Sequence, residues 1–284
     1  MESLGKCEAI LAASQLIRRL ALESERPLRL LELGCGEGQV LGTLADAHAG
    51  VIDLRRSVGV DYNPQALARC RHDYPRLRWV EGDFTDARLL AGLGQFDLEL
   101  LVNSLHEVFS AVYSPELGEV DTPAAKLQVE QTLRVTLNCL APGGYLLLFD
   151  GVEPPGDPRQ ELQVHFLSAQ VRLEFEQFAR GYRPYHVAYH EASRPGWVEL
   201  SRRDFTRYIT KSIFLGKPLW QTERLESYQY FTEEEFRETL ARLGLDLEKL
   251  EVLTVNGDKW RSRVEVEPSE AEFPQEHILI LARK

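Results

Sequence analysis

Apolar positions along the chain recur at two periods, and the alternation between those periods predicts a layered architecture. Ile10, Ala13, Ile17 and Leu20 lie at helical spacing and predict an N-terminal amphipathic helix. Pro27 ends it, and residues 28–33 form a short, nearly continuous apolar run of the kind a parallel sheet buries on both faces. A glycine-rich turn follows, then a helix through Val40, Leu41 and Leu44. Further strands are expected over 57–61, 77–80 and 97–102, with a helix over 64–71 between the first two. Thr122 reads as the cap of a helix with Pro123 at its first position, carrying Leu133, Leu137 and Leu140. Pro142-Gly143-Gly144 stops that helix ahead of a fifth strand over 145–149.

From about residue 151 to 230 the alternation gives way to an aromatic, basic and largely helical pattern. Regular order returns at Thr232-Glu233-Glu234-Glu235, a capping box, followed by an apolar stripe of Phe236, Leu240 and Leu243 and a stop at Gly244. Two more strands are expected over 247–255 and 277–282. The pattern predicts an α/β fold: a Rossmann-like doubly wound sheet of seven strands, mostly parallel, with a mainly helical insertion after the fifth strand. Residues 1–150 and 232–284 are read as one domain. Residues 151–231, too long for an ordinary loop, are read as an inserted substrate-recognition or lid region.

Composition changes this picture in three ways. A formal charge of -11 weighs against a non-specific nucleic-acid binder, because phosphate contacts need a basic face. Residues 182–217 run against that average, with seven Lys/Arg against three Asp/Glu, a local +4. No apolar run is long enough for a membrane span, and Met1-Glu2-Ser3-Leu4-Gly5-Lys6 lacks the basic and apolar regions of a leader, so a cytoplasmic protein with no membrane partner is expected. Cys7, Cys35, Cys70 and Cys139 form no CxxC pair, which points away from structural zinc and toward a reducing compartment.

Four segments carry the chemistry. Glu32-Leu33-Gly34-Cys35-Gly36-Glu37-Gly38 joins the first strand to the first crossover helix, where glycines permit unusual dihedrals and close approach of a ligand to backbone. Val58-Gly59-Val60-Asp61 ends the second strand with a carboxylate suited to two ribose hydroxyls, 27 residues after Gly34 and later than the roughly 20 of a dinucleotide fold. Glu81-Gly82-Asp83-Phe84 follows the third strand, offering an acceptor for an adenine amino group beside an aromatic ring. Leu140-Ala141-Pro142-Gly143-Gly144-Tyr145-Leu146 leads into the fifth strand.

In this order the four resemble the class I S-adenosylmethionine-dependent methyltransferases, over residues 1–150 and 232–284. The resemblance implies S-adenosylmethionine as cofactor and S-adenosylhomocysteine as product. It implies Glu32, Gly34, Gly36 and Gly38 near the methionine moiety, Asp61 at the ribose, and Asp83 with Phe84 at the adenine. Cys35, Tyr62 and Asn103 are assigned to the cofactor side with them.

After the fourth strand, Asn103-Ser104-Leu105-His106-Glu107 should face the transferring methyl group, since ligands of such sheets sit beyond the carboxyl ends of the strands. His106 is read either as a general base or as a residue packed over the cofactor, with Glu107 a second candidate of the same kind. Asp150, ending the fifth strand, either reaches the site or closes a turn. In the insertion, Tyr182, Tyr185, His186, Arg203 and Tyr208 are candidates for stacking on and pairing with a substrate. His186 and His190 stand four apart, but Pro184 disturbs a helix there, so no metal is expected. The long segment around Trp260-Arg261 and residues 273–277 has no assigned role. The expected activity is in-line O- or N-methylation of a small-molecule acceptor. RNA or protein methylation through the 182–217 stretch, and a non-catalytic S-adenosylmethionine-binding module, stand as alternatives.

Overall fold

A computed structural model describes residues 4–255, 257–268 and 273–284, so the first three residues of the leader reading and part of the 257–276 segment lie outside it. The chain opens with Leu4–Glu23 (α1) and Leu30–Leu33 (β1). It continues through Gln39–Ala47 (α2), Val58–Asp61 (β2), Pro64–Asp73 (α3), Arg78–Glu81 (β3), Ala87–Ala91 (α4) and Phe96–Val102 (β4). Leu105–Ser110 (α5) follows, then the hairpin Tyr113–Ser114 (β5) and Glu119–Val120 (β6), Thr122–Thr136 (α6) and Leu140–Gly151 (β7). The insertion contributes Glu161–Phe166 (β8), Ala169–Gly181 (α7), Tyr189–Glu191 (β9), Trp197–Ser201 (β10), Arg202–Lys211 (α8) and Trp220–Glu223 (α9). Glu233–Arg242 (α10), Asp246–Leu253 (β11), Gly257–Arg261 (α11), Val264–Glu267 (β12) and His277–Arg283 (β13) complete the chain.

Seven strands form one sheet in the order β11-β13-β7-β4-β1-β2-β3, with β13 antiparallel to both of its neighbours and the other pairings parallel. This is the expected Rossmann-like doubly wound sheet. Successive residues of the same strand feed opposite layers, as the strand period of two requires. Leu31 and Leu33 pack with Phe109, Val129, Leu133, Phe236 and Leu240 on one face, while Leu30 packs with Ala13, Ile17, Leu41, Leu44 and Leu67 on the other. Strand order reverses between β1 and β4, so a crevice opens beyond their carboxyl ends.

Helix starts follow local chemistry. Asn63 caps α3 by accepting from the Gln65 and Ala66 amides, and the Thr232–Glu235 capping box is reciprocal as read. At α6 the cap is Asp121, whose carboxylate accepts from the Ala124 amide, and not Thr122. Thr122 instead meets the Tyr185 hydroxyl at 2.9 Å.

The insertion departs from the sequence reading in one respect. A mainly helical insertion was expected, but its helices α7 and α8 pack against an antiparallel sheet of order β12-β8-β10-β9 that was not. Leu162, Val164 and Phe166 of β8 point into the core while Glu161, Gln163 and His165 point away, a period-two signal six residues long. The fourth strand, β12, comes from the segment after β11, so residues 264–267 belong structurally to the insertion. Trp260 seals this core, donating its indole N–H to the Ile209 carbonyl at 3.0 Å. Among the described residues no helix is long and apolar enough to cross a membrane.

Candidate active site

At the crevice the backbone does most of the shaping. Gly34, Gly36 and Gly38 all have positive φ, at 73°, 51° and 72°. A Cβ on Gly34 would come within 2.6 Å of the Ser104 Cβ, and one on Gly38 within 2.6 Å of the Trp79 ring. A Cβ on Gly36 would meet nothing within 4 Å, so that position lies against open space where a ligand can approach the chain. Asp61 holds the turn from below: its Oδ2 accepts from the Gly36 amide at 2.7 Å and its Oδ1 from the Asn63 amide at 2.8 Å. Each oxygen keeps a lone pair for a further donor. Glu32 accepts from the Leu41 amide at 3.0 Å, tying α2 to β1, and burial pushes its carboxyl up to about 7. The Cys35 side chain is buried beside Gly59, so this residue offers the crevice its backbone.

Across the crevice Asn103 stands at φ 53°, the one positive φ outside glycine among the described residues. Its amide N–H donates to the Phe149 carbonyl at 2.7 Å. The Asn103 Oδ1 and the Ser104 Oγ are buried and have no hydrogen-bond partner. Ser104 lies directly against Gly34, and buried polar atoms left unpaired at this edge of the crevice are ones a polar ligand could satisfy.

Beside it lies a cavity of about 710 Å³. Tyr62, Asp83, Phe84 and Glu107 line it from the sheet domain, and Arg183, Arg224, Leu225 and Glu226 from the insertion. Tyr62 is largely exposed, while Phe84 is buried. Asp83 spends one oxygen on the Thr85 amide, at 2.8 Å, leaving the other for the cavity. Burial, with Glu226 and Asp150 nearby, pushes the Glu107 carboxyl up to about 7 against the opposing pull of His106.

His106 is held differently. It is buried, with its Nδ1 2.8 Å from Asp150 Oδ1, its Nε2 3.5 Å from Glu226 Oε2, and its ring stacked on Tyr228 at 3.8 Å. Burial alone would push the imidazole toward its neutral form, but the two carboxylates outweigh it and raise its pKa to about 10. An imidazolium with a carboxylate at each nitrogen has no lone pair to take a proton near neutrality. Asp150 also receives the Ser104, Leu105, His106 and Gly151 amides, so it anchors the start of α5 from beneath and does not face the cavity. Glu226 in turn takes the Lys211 ammonium at 3.1 Å, and Glu223 takes it at 2.6 Å. Burial works against ionising Glu226, yet His106 and Lys211 hold its carboxyl down at about 2.

The turn, the late acid, the Asp83-Phe84 pair and the crevice between β1 and β4 now meet a direct comparison. The family model described as a methyltransferase domain matches residues 31–148. Over residues 31–148 the chain carries a methyltransferase domain. An uncharacterized methyltransferase from Synechocystis sp. is 33% identical over 122 residues, 43% of this chain and 46% of that protein. The chain thus spans about half the length of the curated relative it matches. Among solved structures, the plantazolicin methyltransferase BamL, in complex with a triazolic desmethylPZN analog and SAH, aligns over 98% of this chain and 85% of its own. The TM-score is 0.51 at 11% identity, a likeness of fold. An S-adenosylmethionine-dependent methyltransferase from Mesorhizobium loti aligns over 94% of this chain and 95% of its own, with 19% identity and a TM-score of 0.48.

Of the insertion residues expected to meet a substrate beside the methyltransferase domain, two are core. Tyr182 and Tyr208 are buried among Phe175, Phe178 and Trp260, where the same aromatic pattern fills the space between α7, α8 and the small sheet. Tyr185, His186 and Arg203 line a second, polar cavity on the other side of α5. His190 sits on the exposed face of the small sheet, 2.7 Å from Glu199, and with Glu161 forms a group of three ligand-type side chains. The local positive charge of 182–217 is largely consumed internally: Arg203 pairs with Glu153, Arg207 with Asp204, Lys211 with Glu223 and Glu226, and Arg194 with Glu267.

The sequence reading did not reach Arg224, Glu226 and Tyr228. Each comes from the irregular segment before α10, which has no periodicity to place it.

Proposed function

We propose that this chain transfers a methyl group from S-adenosylmethionine to a small-molecule acceptor, with residues 151–231 supplying the acceptor side of the site. The observation that carries this reading is the cavity of about 710 Å³ that joins Asp83 and Phe84 of the methyltransferase domain to Arg183, Arg224 and Glu226 of the insertion. Its volume lies within the range of small-molecule sites.

The crevice fits the cofactor on chemical grounds. The Gly34–Gly38 backbone and the orphaned Asn103 Oδ1 suit the methionine portion, the spare lone pairs of Asp61 suit ribose hydroxyls, and the free oxygen of Asp83 suits an adenine amine. S-adenosylmethionine bound there would supply an electrophilic sulfonium methyl for in-line displacement, with S-adenosylhomocysteine as the leaving group. The chain's own contribution is position and proton control. Glu107, with its carboxyl near 7 and its side chain in the cavity, is the base for a hydroxyl acceptor, taking the proton that the acceptor loses. The Arg183 and Arg224 side chains offer donors to the acceptor's polar groups. His106 is a positioning residue that joins Asp150 under the methyltransferase domain to Glu226 of the insertion.

Calorimetric titration of wild type and Asp61→Ala with S-adenosylmethionine, and separately with NADH, tests the cofactor half. S-adenosylmethionine affinity should fall about tenfold or more in the variant, matching lost hydrogen bonds to a charged group. Preference for NADH would sink the reading, and cofactor binding without turnover across an acceptor screen would favour a non-catalytic module.

A further inference from the structure

We propose that the second cavity, of about 400 Å³, binds a small organic anion that carries a hydroxyl or amine beside its carboxylate or phosphate. Residues 229–230, α6 and α8 contribute to its walls, and α5 separates it from the cofactor cleft: Phe109 lines this cavity, while Glu107, Val108 and Ser110 line the other.

Three buried polar atoms on its walls have no hydrogen-bond partner: Arg207 Nε, Gln229 Oε1 and the Tyr230 hydroxyl. All three residues are at least nine-tenths buried. Leaving such groups unpaired is costly, and a wall made only to fill space would use apolar side chains. Each also stands in a fixed position. The Arg207 guanidinium lies 3.9 Å over the Tyr185 ring and donates from Nη1 to Asp204 at 2.9 Å, leaving Nε–H as the spare donor. The Gln229 amide nitrogen is engaged by Thr210 at 3.3 Å, leaving its oxygen as the spare acceptor. The Tyr230 ring is wedged against Phe109, Phe231 and Phe236.

The unpaired donors and the acceptor fix the class of ligand. Lys126, Arg159, Arg203 and Arg207 line the cavity against Glu119, Glu153 and Asp204. Glu153 and Asp204 are already claimed by Arg203 and Arg207, and Lys126 by Glu235, so among the described residues Arg159 and Glu119 are the wall charges without an ion pair. The spare donors at Arg207 Nε and the Tyr230 hydroxyl, with the exposed Arg159 among the lining residues, suit an anionic group. A neighbouring hydroxyl or amine would donate to Gln229 Oε1. Two donors and one acceptor at fixed positions select a polar, charged molecule over an apolar one.

The test is calorimetric titration of the full chain with L-malate and, separately, with inorganic phosphate, each with and without saturating S-adenosylmethionine. At least one probe should bind saturably, undiminished by S-adenosylmethionine. Tyr230→Phe should weaken it about tenfold and Arg207→Gln by more, with S-adenosylmethionine affinity unchanged in Tyr230→Phe. Binding of malate alone assigns a carboxylate ligand, and of phosphate alone a phosphate ligand. If Arg207→Gln melts early, Tyr230→Phe, which loses only a hydroxyl, decides. The proposal is overturned if neither probe saturates below about 10 mM, if S-adenosylmethionine displaces the probe, or if Tyr230→Phe binds as wild type does. Because S-adenosylmethionine binding is read separately, failure here is distinct from failure of the methyltransferase reading.

Discussion

The methyltransferase domain and the insertion build their recognition surfaces from different materials. Around the crevice the domain presents backbone: three glycines at positive φ, an asparagine at φ 53°, and carboxylates that brace the turns from beneath. The insertion presents side chains, Arg183, Arg224 and Glu226 in one cavity and Arg203, Arg207 and Gln229 in the other. A backbone cradle reads features common to every copy of one cofactor. Side-chain walls are free to vary with the acceptor. The difference also divides the expected consequences of substitution.

The largest effect should come where the two materials are joined. His106→Ala leaves Asp150 and Glu226 without their shared cation and should cost about 3–5 kcal/mol in denaturant unfolding. The same bond sets a pH signature. Because the folded pKa of His106 is raised above the ordinary imidazole value of 6.5 to about 10, its stabilisation is full below pH 6.5 and is lost as pH rises toward 10. Melting curves of wild type should decline through that window, and those of His106→Ala should decline less. An unchanged melting curve in the variant would break the comparison at its seam.

Gly34→Ala should come next, at about 3 kcal/mol, because the added methyl meets Ser104 at 2.6 Å and the residue sits at φ 73°. Glu107→Gln tests the side-chain half. For a hydroxyl acceptor its kcat should fall about a hundredfold with little change in melting temperature. In wild type kcat/KM should rise with pH through about 7, as the carboxyl ionises into the form that accepts a proton. A flat profile would assign acceptor activation elsewhere. The smallest loss of stability belongs to Gly36→Ala, about 1 kcal/mol, since only its φ of 51° is offended. Its S-adenosylmethionine affinity should nevertheless fall well below wild type. Equal losses of affinity and stability at Gly34 and Gly36 would erase the distinction between packing glycines and a ligand-facing one.

The same division explains what was legible. Gly34 to Gly38, Asp61 and Asp83 lie within a few residues of their own strand ends, so local spacing is enough to place them in the fold. His106 follows the fourth strand of the large sheet in the sequence pattern, yet its character depends on Glu226 and Tyr228, which reach it from an irregular segment far along the chain. Tyr182 and Tyr208 illustrate the opposite error: aromatic residues beside cations suit a binding face and a core equally, and burial chose the core. The period-two alternation of β8 was readable in Leu162, Val164 and Phe166, but a strand of six residues inside an aromatic stretch does not announce its partners β10 and β12.

The position of β12 has a practical consequence for anyone dissecting the molecule. The polypeptide leaves the large sheet after β7, returns at α10, leaves again after β11 and returns at β13, with β12 laid against β8 on the second excursion. The insertion is therefore sewn in twice. Excising 151–231 would strip β12 of its neighbour and Trp260 of its socket, and a chimera that grafts this insertion onto another core must carry the second excursion with it.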